Sequence, residues 1–157
     1  MKLPCIRSLS GAEIDAILAR NHVGRIAYSF LDRVDIEPIH YVYADGALYG
    51  RTSAGSKLTS LKHGPWVAFE VDEADALFDW RSVVVRGGVY TVENGDTDAE
   101  RQIYARTLER IRSLVPEALL ADDPTPHRSV LFRIHVDTVT GRESTSIAPA
   151  VKPRGVS

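Results

Sequence analysis

The sequence predicts an α+β fold that is mainly β, in which long strands close into a barrel beside a few short helices. From Val23 to Glu93, apolar and polar residues alternate with period two between turn residues, as expected for half-buried strands. One of these strands is long and carries Gly87-Gly88, a pair that favours a bulge or a sharp bend. Long, bent strands at regular spacing favour a barrel over a sandwich.

The composition indicates one globular domain over residues 1–157. Of the 157 residues, 44% are hydrophobic and 25% are charged, an ordinary balance for a chain with a single core. A net charge of −2 offers no long-range attraction for nucleic acid, and no apolar run approaches the ~20 residues that span a bilayer. The lone cysteine, Cys5, excludes an internal disulfide, and the missing signal-peptide pattern favours the cytoplasm.

A capped helix is predicted before the strands begin. Ser10 can accept a hydrogen bond from the Glu13 amide while the Glu13 side chain reaches back, and this helix should end near Asn21-His22. Asp45-Gly46 predicts a tight hairpin, because both residues tolerate positive φ angles. Pro38 lacks an amide hydrogen, so it should lie at a strand edge, a bulge or a strand start. Strands are predicted over Val23–Phe30, Ile36–Tyr43, Trp66–Asp72, Trp80–Glu93 and Ser129–Val136.

Two further helices and a tail complete the predicted elements. Ser56–His63 should form a short helix that ends at Gly64-Pro65. Thr97 begins a second capped helix whose apolar residues repeat every three or four positions. Residues 116–127 are a loop, and residues 142–157 are expected to be a loose tail.

The segment from Gly50 to Lys57 is the first candidate for chemistry, since it combines small residues, hydroxyl groups and two cations between a predicted strand and a predicted helix. Amides at a helix start carry partial positive charge, and Lys57 adds a full one, which makes the segment a candidate phosphate cradle. It is not a nucleotide triphosphatase loop, because that motif needs lysine before the hydroxyl, and Ser56 precedes Lys57 here. The alternative is an ordinary turn with a solvated lysine.

The strand entrance at Trp80-Arg81-Ser82 is the second candidate. An aromatic plane, a cation and a hydroxyl suit the edge of a ring-shaped ligand, although they also suit any strand end. The following run, Val83–Val85, is interpreted as strand core. The five histidines have no spacing suited to a metal ion, so no metal site is predicted.

Taken in order, these segments resemble the pyridoxamine 5′-phosphate oxidase-like family of FMN-binding split β-barrels, nearest the branch that includes nitroimidazole-resistance proteins. No single motif carries the resemblance, which rests on the succession and spacing of segments over most of the chain. The matching segments are His22–Ala27, Pro38–Tyr43, Asp45–Tyr49, Arg51–Lys57, Leu61–Asp72, Trp80–Gly87, Phe132–Ile134 and Thr140–Arg142.

The resemblance implies a Greek-key split barrel of the FMN-binding type, a homodimer with FMN in a groove between the two subunits. The Arg51–Lys57 segment would hold the phosphate, and two strands would line the ribityl chain and the ring. Arg81 is the candidate for stabilising the reduced ring. His40 either lies near the substrate or is an ordinary strand residue. The implied cofactor-binding residues are Ile39, His40, Tyr41, Arg51, Thr52, Ser53, Lys57, Trp80, Arg81, Ser82 and Val83.

The implied activity is FMN-dependent oxidation–reduction of a small acceptor, such as a nitroaromatic compound. Pyridoxine phosphate oxidation itself is not expected, because the substrate-binding residues and the C-terminal dimerisation segment of the vitamin enzymes have no match after Glu93. In addition, Ser82 stands where those enzymes have a larger amide side chain. A non-catalytic protein that binds flavin, deazaflavin or haem remains the alternative.

Overall fold

The computed structural model describes residues 3–61 and 66–147, and antiparallel strands make up most of this part of the chain. The helices are α1 (Gly11–Arg20) and α2 (Asp98–Leu114), and Lys57–Ser60 form a short 3₁₀ helix. The strands are β1 (Leu3–Ser8), β2 (Val23–Phe30), β3 (Arg33–Ala44), β4 (Ala47–Thr52), β5 (Trp66–Ala76), β6 (Asp79–Val92) and β7 (Val130–Ile147).

All strands except β1 close into a ring. Neighbouring strands pair in the order β7-β4-β3-β2-β5-β6, and β6 pairs with β7 to complete it. β2, β3 and β4 form a meander, and β5 returns to lie beside β2, which is a Greek-key arrangement. The prediction of a mainly β chain with a barrel-like ring of strands is therefore confirmed.

The main core lies within the ring, and α1 contributes side chains to it. Helix α1 buries Ile14, Ile17 and Leu18 along one face, and α2 covers a second, smaller apolar cluster. None of the helices in the described ranges is long and apolar enough to cross a membrane. Side chains with no exposed surface in the main core include Ile26, Leu48, Phe69, Val83, Val85 and Ile134.

Several local predictions are confirmed at the level of single hydrogen bonds and dihedral angles. Ser10 and Glu13 form the predicted capping box, and Thr97 begins α2 with a second one. Asp45 and Gly46 have φ angles of 53° and 71°, as a tight hairpin turn requires.

The bulge predicted at Gly87-Gly88 is also present, where the register between β6 and β7 shifts between Arg86 and Gly87. A Cβ atom at Gly87 would collide with the backbone carbonyl oxygen of His135. Glycine is therefore required for the two strands to approach each other at this point.

Three expectations differ from the structure. The helix expected over Ser56–His63 is reduced to the short 3₁₀ helix, and residues 62–65 lie outside the described ranges. β1 was not predicted, because its residues are all exposed and do not alternate. The loose tail is wrong for residues 142–147, which continue β7, and residues 148–157 lie outside the described ranges.

The polar end of β7 forms a strand because neighbouring strands supply hydrogen-bond partners for it. Residues 142–147 pair with β1, and Arg142 to Ser144 also pair with β6. Ser144 is 2% exposed and donates a hydrogen bond to the Phe78 carbonyl oxygen over 2.8 Å. The serine and threonine residues of this segment are typical of a loop, but in the structure they belong to a strand that pairs with β1.

Candidate functional site

A cavity of about 400 Å³ opens where β4 separates from β3. β3 pairs with β4 only over Tyr41–Ala44, so its first half has β2 as its partner strand and a free edge towards the cavity. Pro38 lies on this edge, as its missing amide hydrogen predicts. The cavity is lined by Tyr28, Asp35, Glu37, Pro38, Ile39, Arg51, Thr52, Ser53, Gly55, Ser56, Lys57, His127 and Arg128.

The loop after β4 forms one wall of this cavity and has a defined shape. The Ser56 amide donates to the Ser53 carbonyl oxygen over 3.0 Å, and the Ser56 hydroxyl accepts from the Leu58 amide. Leu58 is 4% exposed and anchors the loop in the core. Within residues 3–61 and 66–147, the amides of Gly55 and Lys57 donate no hydrogen bond to the protein. The wall therefore offers backbone donors to a ligand.

Lys57 lies at the mouth of the cavity and already has an anionic partner. Its Nζ atom donates to Asp35 Oδ2 over 2.9 Å, and the two side chains are 56% and 40% exposed. This hydrogen bond, with a smaller contribution from the Ile36 amide, lowers the pKa of Asp35. A ligand that binds Lys57 must share the ammonium group with this carboxylate.

Arg51 is buried and is the centre of a hydrogen-bond network with the loop before β7. Its guanidinium donates to both carboxylate oxygens of Asp123, over 2.6 and 2.9 Å, and to the Thr125 hydroxyl over 2.7 Å. It also approaches the Arg128 carbonyl oxygen at 3.4 Å. Arg51 holds the pKa of the Asp123 carboxyl well below its usual range, and the amides of Leu119 and Thr125 add to this effect.

His127 and Arg128 line the cavity from this loop and were not predicted as site residues. They arrive there because β7 pairs with β4, with Val130 opposite Thr52. Among the described residues, no carboxylate forms an ion pair with Arg128. Only the pairing of β4 with β7 could have indicated their position, and the sequence carries no local signal for it.

The predicted ring-binding residues of β3 separate from one another. Ile39 lines the cavity and is 5% exposed, whereas His40 points to the exposed face of the strand. Tyr41 is 1% exposed; its hydroxyl donates to the Leu18 carbonyl oxygen over 2.7 Å, and its ring meets Phe69 edge-on at 4.9 Å. Of these three side chains, only that of Ile39 is available to a ligand in the cavity.

The predicted ring-binding residues of β6 lie in a different place. Trp80, Arg81 and Ser82 line a second, shallow cleft of about 520 Å³ between the ends of β5 and β6. Val83 has no exposed surface and belongs to the core. Within one chain, the two predicted groups of cofactor-binding residues therefore occupy separate clefts.

Arg81 in this second cleft is part of an ion-pair network. Its guanidinium lies 3.3 Å from Glu73 Oε1 and 2.9 Å from Glu143 Oε2. Glu73 also accepts hydrogen bonds from Arg20, which is the main cause that lowers the pKa of Glu73 to about 2. The positive charge of Arg81 is thus balanced by two carboxylates.

The residues predicted to hold a phosphate do come together. Arg51, Thr52, Ser53 and Lys57 share one cavity, with Ile39 beside them. Their roles as ligands of a cofactor stay predictions, as do those of the β6 residues.

Comparison with known proteins places this chain in a family. The family model described as pyridoxamine 5′-phosphate oxidase matches residues 10–143. An uncharacterised protein of Rhizobium meliloti (strain 1021) is 29% identical over 144 residues, covering 87% of this chain and 94% of that protein.

Two solved structures are similar in fold. An FAD-binding protein from Mesorhizobium loti is 28% identical with a TM-score of 0.68, covering 88% of this chain and 97% of that chain. A candidate 5-nitroimidazole antibiotic resistance protein from Bacteroides thetaiotaomicron has a TM-score of 0.64, covering 91% of this chain and 90% of that one; at 18% identity it shows the fold alone. The resemblance inferred from the order of the sequence segments is confirmed, and this chain belongs to the pyridoxamine 5′-phosphate oxidase family.

Proposed function

We propose that this protein is an FMN-dependent oxidoreductase that holds the phosphate of FMN in the cavity beside β4. The observation that carries the proposal is the wall of this cavity, where the loop from Ser53 to Lys57 offers hydroxyl groups, an ammonium group and two amides that have no hydrogen-bond partner among the described residues. A phosphomonoester dianion is best bound by such a set of donors.

The residues present fit a phosphate group without help from a helix dipole. The 3₁₀ helix that follows the loop has only four residues, so it adds little aligned dipole. Lys57 has three ammonium protons, so it can donate to a phosphate oxygen while it keeps its hydrogen bond to Asp35. The amides of Gly55 and Lys57 supply the remaining donors.

The apolar part of the cavity suits the other end of the cofactor. Pro38 is exposed at the cavity, and Ile39 and Tyr28, which are 5% and 4% exposed, lie behind it at the edge of the core. The volume of about 400 Å³ is at the lower end of the range for ligand pockets, and we propose that the cavity holds the phosphate end of the nucleotide while the ring extends beyond it. The rest of the ring needs a second wall.

We assign this second wall to another copy of the chain, so the proposed protein is a homodimer. Val34 and Ile36 lie beside the cavity on β3 and are 84% and 63% exposed. Exposed apolar side chains that cluster next to a ligand cavity are typical of an interface. A second copy could bring its Trp80-Arg81-Ser82 cleft towards the cavity, which would reunite the two predicted groups.

The bound flavin would supply electron transfer, and the protein would bind and orient it. Ile39 would pack on the ring, and Lys57 would fix the position of the phosphate. Arg81 and His40 stay the candidates for contact with the substrate, which we propose is a small acceptor such as a nitroaromatic compound.

FAD is the second candidate cofactor, because the similar protein from Mesorhizobium loti binds it. FAD has a diphosphate diester in place of the terminal phosphomonoester, and it carries an adenosine that must also find room. A comparison of the affinity of the protein for FMN and for FAD therefore distinguishes the two cofactors.

The test uses the purified full chain, stripped of any bound cofactor. Titration with FMN, FAD and riboflavin should quench flavin fluorescence most strongly for FMN, and a reduced nicotinamide should bleach the bound flavin under anaerobic conditions. If FAD binds more tightly than FMN, the cofactor is FAD and not FMN. Binding without bleaching by any reductant would favour a non-catalytic flavin protein, and a haem or deazaflavin spectrum of the purified protein would overturn the proposal.

A further inference from the structure

Arg128 is the cation of the cavity whose charge no carboxylate balances in the described part of the chain. Arg51 and Lys57 line the same cavity, but Arg51 is paired with Asp123 and Lys57 with Asp35. A new anion in the cavity would therefore find its strongest uncompensated attraction at Arg128.

The backbone of Arg128 is held at both of its polar groups. Its amide donates to the Thr125 carbonyl oxygen over 3.0 Å, and its carbonyl oxygen faces Arg51 Nη1 at 3.4 Å. A side chain that starts from a fixed backbone loses less freedom when it binds a ligand. The loop thus presents Arg128 to the cavity in a defined place.

The Arg51–Asp123 pair fixes this part of the loop. Asp123 accepts from the amides of Leu119 and Thr125, over 2.8 and 2.9 Å, in addition to its two bonds from Arg51. Arg51 thus contacts the loop at Asp123, Thr125 and Arg128. A buried ion pair is weak evidence for added stability, and in some proteins such a pair fixes a geometry instead.

We propose that Arg128 binds the phosphate of the flavin cofactor, and that Arg51 and Asp123 are positioning residues that hold Arg128 in place. The proposal deepens the proposed function and rests on it. A guanidinium can donate two parallel hydrogen bonds to a phosphate, which a lysine cannot. Arg128, rather than Arg51, is then the arginine of the phosphate site.

The first experiment compares FMN with riboflavin, which has the same ring and no phosphate. Arg128→Gln should weaken FMN binding by about ten- to a hundredfold and leave riboflavin affinity within about twofold. Arg128→Lys keeps the charge but cannot donate two parallel hydrogen bonds, so its loss of FMN affinity should be intermediate. Arg106→Gln is the matched control, because Arg106 is exposed on α2, outside the cavity; it removes the same charge and should change neither affinity.

The second experiment tests the positioning role without disrupting the buried ion pair. Thr125→Val removes the hydroxyl that accepts from Arg51 and keeps the side-chain shape. It should weaken FMN binding several-fold in the natural chain and have no further effect in Arg128→Gln, with riboflavin unchanged throughout. Equal losses in both backgrounds would make its role merely structural and overturn the positioning claim.

The outcomes separate this inference from the proposed function. If the natural chain binds neither flavin, or binds both equally, the phosphate cavity itself is wrong and both proposals are overturned. If the natural chain prefers FMN and Arg128→Gln keeps that preference, only the assignment of Arg128 is overturned.

Discussion

Replacing Asp35 with asparagine should tighten FMN binding and leave riboflavin binding unchanged. The Asp35 carboxylate accepts a hydrogen bond from Lys57 over 2.9 Å and lines the cavity proposed for the phosphate. The carboxylate therefore engages the ammonium group of Lys57, and its negative charge also repels the phosphate. Asparagine keeps an oxygen that can accept from the Ile36 amide, as Asp35 Oδ1 does now, so the local backbone should not change.

The size of the effect follows from the exposure of the pair. With side chains 56% and 40% exposed, an ion pair of this kind shifts an equilibrium by roughly two- to fivefold. Removing a full negative charge at about 6 Å from a phosphate dianion adds roughly threefold in a water-like dielectric that contains about 0.1 M salt. The expected gain is therefore roughly five- to fifteenfold at that salt concentration, and it is smaller at higher salt because salt screens both contributions.

Fluorescence titration of FMN and riboflavin at two salt concentrations measures this gain. Asp32→Asn is the matched control, because Asp32 lies outside the cavity in the adjacent turn and its φ angle of 61° is one that asparagine adopts readily. An unchanged or weaker FMN affinity in Asp35→Asn would refute the reasoning, and so would an equal gain for riboflavin.

Four further predictions concern the cavity, the charge network, the core and the assembly. Lys57→Ala should weaken FMN binding by roughly three- to tenfold in the same titration, while riboflavin affinity is kept. Hydrogen bonding to Arg20 lowers the pKa of Glu73 to about 2. The ionised Glu73 therefore stabilises the folded protein fully above the ordinary glutamate pKa, and this stabilisation is lost as the pH falls towards 2. Glu73→Gln should make the thermal unfolding midpoint depend less on pH between pH 5 and about 2. Gly24→Ala should lower the free energy of unfolding by about 1–3 kcal/mol in urea, because its Cβ would collide with the buried Phe69 ring; an unchanged midpoint would contradict this. Sedimentation of the flavin-bound protein should show a dimer, and a sole species of 17.3 kDa at micromolar concentration would exclude it.

The elements that the sequence predicts well depend on neighbours a few residues away. Ser10 and Glu13 form a capping box, and Asp45-Gly46 form a turn, because each signal is complete within four residues. β1 and the end of β7 have no such signal. They pair with each other across most of the chain length, and their side chains are largely polar or exposed, so neither shows the alternation of a half-buried strand.

In the candidate site, too, the sequence predicts the residues that are close together in the chain and misses those brought in by long-range strand pairing. Thr52, Ser53 and Lys57 were predicted together because they belong to one contiguous segment. Arg128 and Asp35 reach the same cavity through the pairing of β4 with β7 and through the free edge of β3. Long-range strand register decides which of the many charged residues meet there, and a single sequence does not specify that register.

A crystal structure of the protein grown with FMN tests the central claim most directly. We expect electron density for the phosphate between the Ser53–Lys57 loop and Arg128, within hydrogen-bond distance of Lys57 Nζ and the Gly55 amide. A phosphate in the cleft lined by Trp80, or on any surface away from the Ser53–Lys57 loop, would contradict the account.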